Sequence, residues 1–490
     1  MAGHDGSTYN SESIIGTKEQ HLLTSIRQRL ESLLHKEIQS QVSLWNIAAV
    51  LVILILALDL RIESVQRTVV PSPIRADALD YFYSAYNLKQ YGVYSRTPTL
   101  PPAPAQAPTP DAVRSPGYPL FLYPFVSKAP TLAMVRSILN VQALISAATV
   151  LLAYLLFRTF LSPTVALVPA FLTAVSPHLV TMNVYVLSET LFCFLAVLAF
   201  WLISKLPTQS GWLLPLVVGI IIAAASLTRP GLQYFVVPLA ILSYYHFAGK
   251  KGWRTAGLIA LGFALTYSPW IIRNIHTLGM TTDPTLMINT LENGIYPNFM
   301  YHGDPHTFGF PYRFDPHYRE LTRSVPIVLK AIYQHFLHEP GRYLDWYLIG
   351  KPIALWSWSM VAGMGDVFVY PVLSTPYAYL PQFVFTHWLM FHLHWTLVIL
   401  GLIGCILVWL PARIAGLSGS ALFVGRAISL HLVYWTLLLM VGAPFPRYSI
   451  PLRPFLFGMA TLAAVFLINN LWHVWRNRVF LPKKNEAPAK

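Results

Sequence analysis

The chain has 490 residues, of which 55% are hydrophobic and only 11% charged, against roughly 25% charged residues in ordinary soluble domains. That apolar excess cannot be hidden in one soluble core, because single cores stop growing beyond about 250–300 residues, so a soluble enzyme, a disordered chain and a disulfide-built scaffold are excluded and a polytopic helical membrane protein is left. The net charge of +14, from 34 Lys and Arg against 20 Asp and Glu, belongs in this class to basic cytoplasmic loops before nucleic acid.

Residues 1–43 form a polar N-terminal segment. Within it Leu22, Ile26, Leu30, Leu33 and Leu34 recur among Arg27, Arg29 and Lys36, a spacing that fits a helix lying on the membrane or packed on the protein itself. The first apolar run, 44–60, is long enough to cross ~30 Å of hydrocarbon and lacks a small-residue cleavage site, so it reads as an uncleaved anchor. Further spans are expected at 133–157, 164–181, 185–204, 212–228, 231–248, 255–272, 385–410, 421–441 and 453–473. That makes about ten, within a range of 10–13 if ambiguous stretches also cross. The two cysteines, Cys193 and Cys405, fall inside such runs and read as small core hydrophobes.

The short connections with Arg158, Lys205, Lys250, Lys251, Arg254 and Arg413 fall on one side, together with the N-terminus and a basic tail over 474–490 that carries Arg476, Arg478, Lys483 and Lys484. The positive-inside rule makes that side cytoplasmic. Two long segments then face outward, 61–131 and 273–384. The first holds PTLPPAPAQAPTP at 98–110, a polyproline-like spacer. In the second, 344–365 is apolar yet carries Lys351, Asp366 just beyond it, and three tryptophans. This reads as an outer juxtamembrane helix, with a re-entrant or spanning pair as the alternative.

Ionisable residues at the outer ends of spans are costly and usually functional. Here they gather on one side: Asp77 and Asp80 in RADALDYFYSAYNL, Arg114 in RSPGYPLFL, Glu189 in VYVLSETLF, Arg229 in SLTRPG, Arg273 in SPWIIRN and Arg447 in APFPRYSIPLRP. Outward arginines in short loops run against the positive-inside bias. A lone one reads as a snorkelling anchor, but several on one face suit an anion, and the bidentate guanidinium suits phosphate. Phosphate joined to something greasy enough to enter between helices is a lipid phosphate. Acids set among the arginines suit a general base, with a helix cap as the competing reading for Asp77. Asp77 and Tyr81 lie four apart on one face of a helix expected over 77–88, with Asp77 in the first turn, where the dipole favours a carboxylate.

In order along the chain, these motifs resemble those of the GT-C glycosyltransferases, specifically the bacterial relatives of protein O-mannosyltransferase and of the lipid A aminoarabinose transferase. The resemblance rests on Asp77 and Tyr81 soon after the first span, AYNLKQYGVYS, RSPGYPLFL at 114–122, LSETLF at 187–192, LTRPG at 227–231, PWIIRN at 269–274 and PRYSIPLRP at 446–454. It implies an all-α GT-C bundle with outer juxtamembrane helices, a transmembrane module over 44–272, and C-terminal spans over 385–473. It further implies an inner-membrane enzyme with both termini cytoplasmic and its active site extracytoplasmic. A sugar would pass from a polyprenyl-phosphate donor to a glycan, lipid or protein hydroxyl with inversion. Asp77 maps onto the family's catalytic acid and Glu189 onto a recurrent acid. Arg229, Arg273 and Arg447 become donor-phosphate ligands, and Asp80, Tyr81, Arg114, Tyr118 and Tyr448 further site candidates.

Many relatives have an adjacent acidic pair where Ala78 follows Asp77, and Asp80 comes three residues after Asp77. The departure argues against a two-carboxylate metal site, although some family members use a divalent metal. His302, Asp304, His306, Asp315 and His317 match no standard metal spacing. Two other readings stay open: an O-antigen ligase or polymerase using diphosphate-linked glycans, and a lipid-linked sugar transporter or flippase. The second would require charges at mid-bilayer and repeat symmetry.

Overall fold

The computed structural model describes residues 43–101, 107–127, 130–361 and 363–480. The amphipathic segment expected over 18–42, the centre of the proline-rich spacer and the end of the basic tail lie outside the described residues. The chain runs through helices α1 (Leu44–Arg67), α2 (Asp77–Tyr91), α3 (Gly117–Leu122), α4 (Leu132–Phe157), α5 (Leu167–Val175), α6 (Pro177–Thr181), α7 (Glu189–Ile203), α8 (Leu213–Thr228), α9 (Val236–Phe247) and α10 (Gly249–Leu278). It continues with α11 (Thr285–Asn293), α12 (Tyr318–Leu321), α13 (Val325–His338), α14 (Pro340–Asp345), α15 (Lys351–Leu355), α16 (Pro381–Leu407), α17 (Ala412–Ala415), α18 (Gly419–Val441) and α19 (Arg453–Phe480). Among the described residues β structure is confined to isolated bridges, such as Val69 with Ser374.

Local chemistry sets the helix ends. Ser43, Thr131 and Ser418 accept hydrogen bonds from the backbone N–H of Asn46, Met134 and Ala421 at the starts of α1, α4 and α18, each satisfying one of the donors that a helix start leaves free. Ser176 and Pro177 interrupt the apolar run 164–181, and α5 and its continuation Pro177–Val184 meet at 53°.

Five helices among the described residues are long and apolar enough to cross a membrane: 132–157, 249–278, 381–407, 419–441 and the run 446–471, or six if the bent pair counts as one. That is fewer than the ten expected. The physical reason is that several apolar runs are broken or short. α7 has 15 residues and α8 has 16, below the ~20 that a perpendicular span needs. α8 packs along α10 at close range, because a Cβ at Gly219 would strike the Ile259 carbonyl and one at Gly262 the Leu216 carbonyl. The helix expected over 77–88 is present as α2. The stretch 344–365 forms α14, a π-helical turn over Trp346–Gly350 and α15, followed by irregular chain.

The segment between α10 and α16 has a small core of its own, in which Leu291, Ile295, Val328 and Tyr343 pack together. The candidate metal residues there serve turns: Asp304 and Asp315 accept from the backbone N–H of His306 and His317. Among the described residues no three His, Cys, Asp or Glu side chains gather as a metal site.

Glu292, on α11, is fully buried with Oε1 unpartnered. Burial pushes its carboxyl up to about 7, and the neighbouring Asp315 adds to the effect. An acid whose folded pKa is raised costs stability as pH climbs from its unfolded value to its folded one. Glu292→Gln is therefore expected to stabilise the fold by a margin that is small near pH 5 and grows to about 3 kcal/mol near pH 8. Equal gains at both pH values, read by thermal unfolding, would contradict the assignment.

Candidate active site

Five sequence motifs converge where α2, α3, α7 and α8 meet the Pro446–Leu452 turn. Ala76 enters α2 with φ of 46°, a left-handed conformation that a residue with a Cβ adopts only under strain. It sets the direction of the next side chain, Asp77. RSPG approaches LTRP at backbone distance: a Cβ on Gly117 would lie 2.6 Å from the Thr228 nitrogen and 2.7 Å from the Leu227 oxygen. Only glycine permits that approach, and it brings the stretch bearing Arg114 beside the one bearing Arg229.

The charges form a ladder of alternating sign. Arg229 Nη1 donates to Glu189 Oε1 at 2.7 Å. Arg447 donates through Nε to the same oxygen, and through Nη1 to Asp77 Oδ2 at 2.9 Å. Asp77 Oδ1 accepts from Arg114 Nη2 at 2.7 Å. Arg114 Nε reaches Asp80 Oδ2 at 2.9 Å, and Arg96 stands 3.8 Å from that oxygen. Three carboxylates are thus held by Arg114, Arg229 and Arg447, with Arg96 at the rim.

The ladder runs from half-buried to buried. The Asp77 side chain is 30% exposed, Arg447 15% and Glu189 1%. Aromatic rings line it. The Arg114 guanidinium lies 5.3 Å from the Tyr81 ring centre, Arg229 5.1 Å from Tyr448, and Tyr81 meets Tyr118 edge-on at 5.0 Å. Burial would raise the Asp77 carboxyl, but the charges of Arg447 and Arg114 outweigh it and hold the group far below the usual carboxylate range.

The structure does not bring Arg273 into this ladder. Its guanidinium donates to the carbonyls of Asp111 at 2.7 Å and Tyr94 at 3.0 Å and lies against the rings of Tyr94 and Trp270. Among the described residues no carboxylate pairs with it. It lines a groove of about 510 Å³ whose apolar walls include Leu88, Leu120, Leu227 and Trp270. Tyr94 joins the two places, because its hydroxyl donates to the Arg114 carbonyl at 2.8 Å.

Sequence reasoning missed two neighbours. Tyr370, on the irregular chain before α16, has its hydroxyl within the field of Arg447, Asp77 and Glu189, and no motif marks it. Arg61 stands fully buried in α1. Its signal was present in the sequence, a charge directly after the apolar run 44–60.

Two comparisons bear on this arrangement. Residues 133–272 match the family of dolichyl-phosphate-mannose-protein mannosyltransferases, a stretch that includes Glu189 and Arg229 but neither Asp77 nor Arg447. The archaeal oligosaccharyltransferase AglB from Archaeoglobus fulgidus, solved with an inhibitory peptide and a dolichol-phosphate, superposes with a TM-score of 0.52 at 14% identity, over 90% of this chain and 52% of that one.

This chain shares its helical fold with the archaeal oligosaccharyltransferase. The Archaeoglobus fulgidus oligosaccharyltransferase tethered by a disulfide to an acceptor peptide gives a TM-score of 0.50 at 15% identity, over 89% of this chain and 51% of that one. The chain therefore spans about half the length of these structures. No curated protein matches it. The similarity extends the GT-C likeness of the motifs to the helical framework that carries them.

Proposed function

We propose that this protein transfers a sugar from a polyprenyl-phosphate donor to an acceptor hydroxyl at the extracytoplasmic face of the inner membrane, with inversion. The observation that carries the reading is the ladder itself. Two partly buried arginines share one buried glutamate, and one of them also clamps an aspartate that opens to solvent. The GT-C resemblance and the mannosyltransferase family match support a lipid-phosphate donor. The archaeal enzyme solved with dolichol-phosphate supports it by analogy of fold.

In this reading the lipid chain lies along the apolar groove beside Arg273, and the phosphate reaches Arg229 and Arg447. The acceptor oxygen attacks the anomeric carbon as the carbon–oxygen bond to phosphate breaks. Asp77 takes the acceptor proton, and the arginines stabilise the charge that gathers on the leaving phosphate. The resting ladder sets a condition on this chemistry. A carboxylate held by two arginines is a weak base, so the phosphate must first draw Arg447 from Asp77 Oδ2. The donor thereby frees the base that the acceptor needs, which predicts ordered binding with the donor first.

The direct test is mass spectrometry of polyprenyl-phosphate lipids from cells that carry the native protein or Asp77→Asn. Accumulation of a monosaccharide-phosphate lipid in the variant is expected, and its mass gives the sugar class. A diphosphate-linked oligosaccharide accumulating instead would replace the reading with a ligase or polymerase. Arg273→Ala is expected to weaken donor affinity roughly tenfold, the size of one lost charge-assisted hydrogen bond, with the unfolding temperature nearly unchanged. Unaltered affinity in a donor-binding assay would remove Arg273 from the donor site.

A further inference from the structure

Arg61 is a cation buried inside the helical bundle, next to the ladder but not one of its ion pairs. A guanidinium has five N–H groups. Four go to neutral acceptors: Nε to Ser146 Oγ at 2.7 Å, Nη1 to the carbonyls of Ala57 at 3.0 Å and Ala174 at 2.9 Å, and Nη2 to that of Thr173 at 3.1 Å. One N–H on Nη2 is left, and among the described residues no carboxylate touches the group. Glu189 has the converse deficit. Its Oε1 is shared by Arg229 and Arg447, while its Oε2 is buried without a partner.

Both residues line the same cavity of about 10 Å³, together with Ser146, Thr149, Thr173 and Thr190. That volume holds about one water and little else, and a buried water needs two to four polar partners. The chemistry of the walls narrows the occupant further. A cation would be repelled by Arg61 and an anion by Glu189. A neutral molecule that both accepts and donates satisfies each side.

We infer that an ordered water occupies this cavity, accepting from Arg61 and donating to Glu189 Oε2, and that Arg61 is thereby a positioning residue for the ladder. The water ties α1, α4 and α5 to Glu189, the first residue of α7. With Oε2 held from behind, Oε1 stays aimed at Arg229 and Arg447. Without it the carboxylate is free to turn, and both arginines lose their common anchor. The effect on substrate rests on the proposed function, in which those arginines receive the donor phosphate.

Two measurements test the inference. A cryo-electron microscopy map that resolves ordered waters is expected to show one density peak between Arg61 and Glu189, and an empty cavity would overturn it. In the second, affinity for a polyprenyl monophosphate is measured with the purified full-length protein in nanodiscs for wild type, Arg61→Met, Glu189→Gln and the double variant. Arg61→Met is expected to weaken binding by about tenfold, a typical coupling for residues that act as a unit. In the Glu189→Gln background it is expected to add nothing, and Arg61→Lys is expected to recover part of the loss.

Additive effects of the two substitutions would overturn the link, as would an Arg61→Met protein that melts lower but binds as well as wild type. Should Arg61→Met fail to fold, Thr190→Val removes one hydroxyl from the cavity wall at constant shape. It is expected to weaken binding by a smaller factor that likewise vanishes with Glu189→Gln, and unchanged binding would count against the inference. Failure of wild type to bind the probe would remove the donor reading, and the density alone would then decide the water.

Discussion

Asp77→Asn is expected to lower the turnover of sugar transfer by about 10²–10⁴-fold, the usual contribution of a positioned general base, in a protein that still folds. Asparagine has nearly the same shape and retains an oxygen for Arg114 or Arg447, but it cannot take the acceptor proton. The same variant carries a second expectation of opposite sign. Asp77 Oδ2 holds Arg447 at 2.9 Å and so, in the proposed reaction, competes with the donor phosphate for that arginine. Removing the charge is expected to tighten polyprenyl-phosphate binding while transfer collapses. Loss of affinity in parallel with loss of turnover would mean that Asp77 only supports Arg447, and the general-base role would fall.

The pH dependence follows from the same contacts. Arg447 and Arg114 hold the Asp77 carboxyl below its ordinary value, so the stabilisation from this pairing is complete above the unfolded pKa of about 3.9. It is lost only as pH falls through the lower folded value. Asp77 is therefore ionised throughout the physiological range. An acidic limb in kcat/KM above about pH 5 would have to come from another group.

How much of this could be read along the chain depended on the distance over which the information was carried. The helix bearing Asp77 was legible because its signal is local: an acid and a tyrosine four residues apart, followed by apolar positions on the same face. The helical membrane fold was legible because the apolar runs that build it are also local. The pairing of Arg447 with Glu189 was not, because 258 residues separate them and only the packed bundle brings the Pro446–Leu452 turn onto the start of α7. The same absence of local signal hid the separation of Arg273 from Arg229 and the approach of Tyr370 to Asp77. The span count of about ten was not confirmed, for another reason. Apolarity marks residues that avoid water, whether they face lipid or lie in the bundle, and α7 and α8 are apolar but short. Arg61 was legible in principle, since a charge directly after an apolar run is already an anomaly.

Arg447 is the position where stability and activity should separate most clearly. It touches two of the ladder's three acids, and its planar fork serves Glu189 and Asp77 at once, which the single point charge of a lysine cannot do. Arg447→Lys is therefore expected to keep the fold while lowering donor affinity by at least about tenfold. Arg447→Met leaves Glu189 with only Arg229 in a buried site, and breaking one side of a buried pair typically costs about 3–5 kcal/mol. Its unfolding temperature should drop sharply. Adding Glu189→Gln to Arg447→Met leaves Arg229 without its carboxylate partner and is expected to lower stability further, because a charge is stranded in a largely buried site. Transfer should not return, since the phosphate has lost its central ligand. If instead the double variant regained transfer along with stability, Arg447 would be a structural counter-charge to Glu189, and the phosphate site would have to be sought at Arg229 and Arg273.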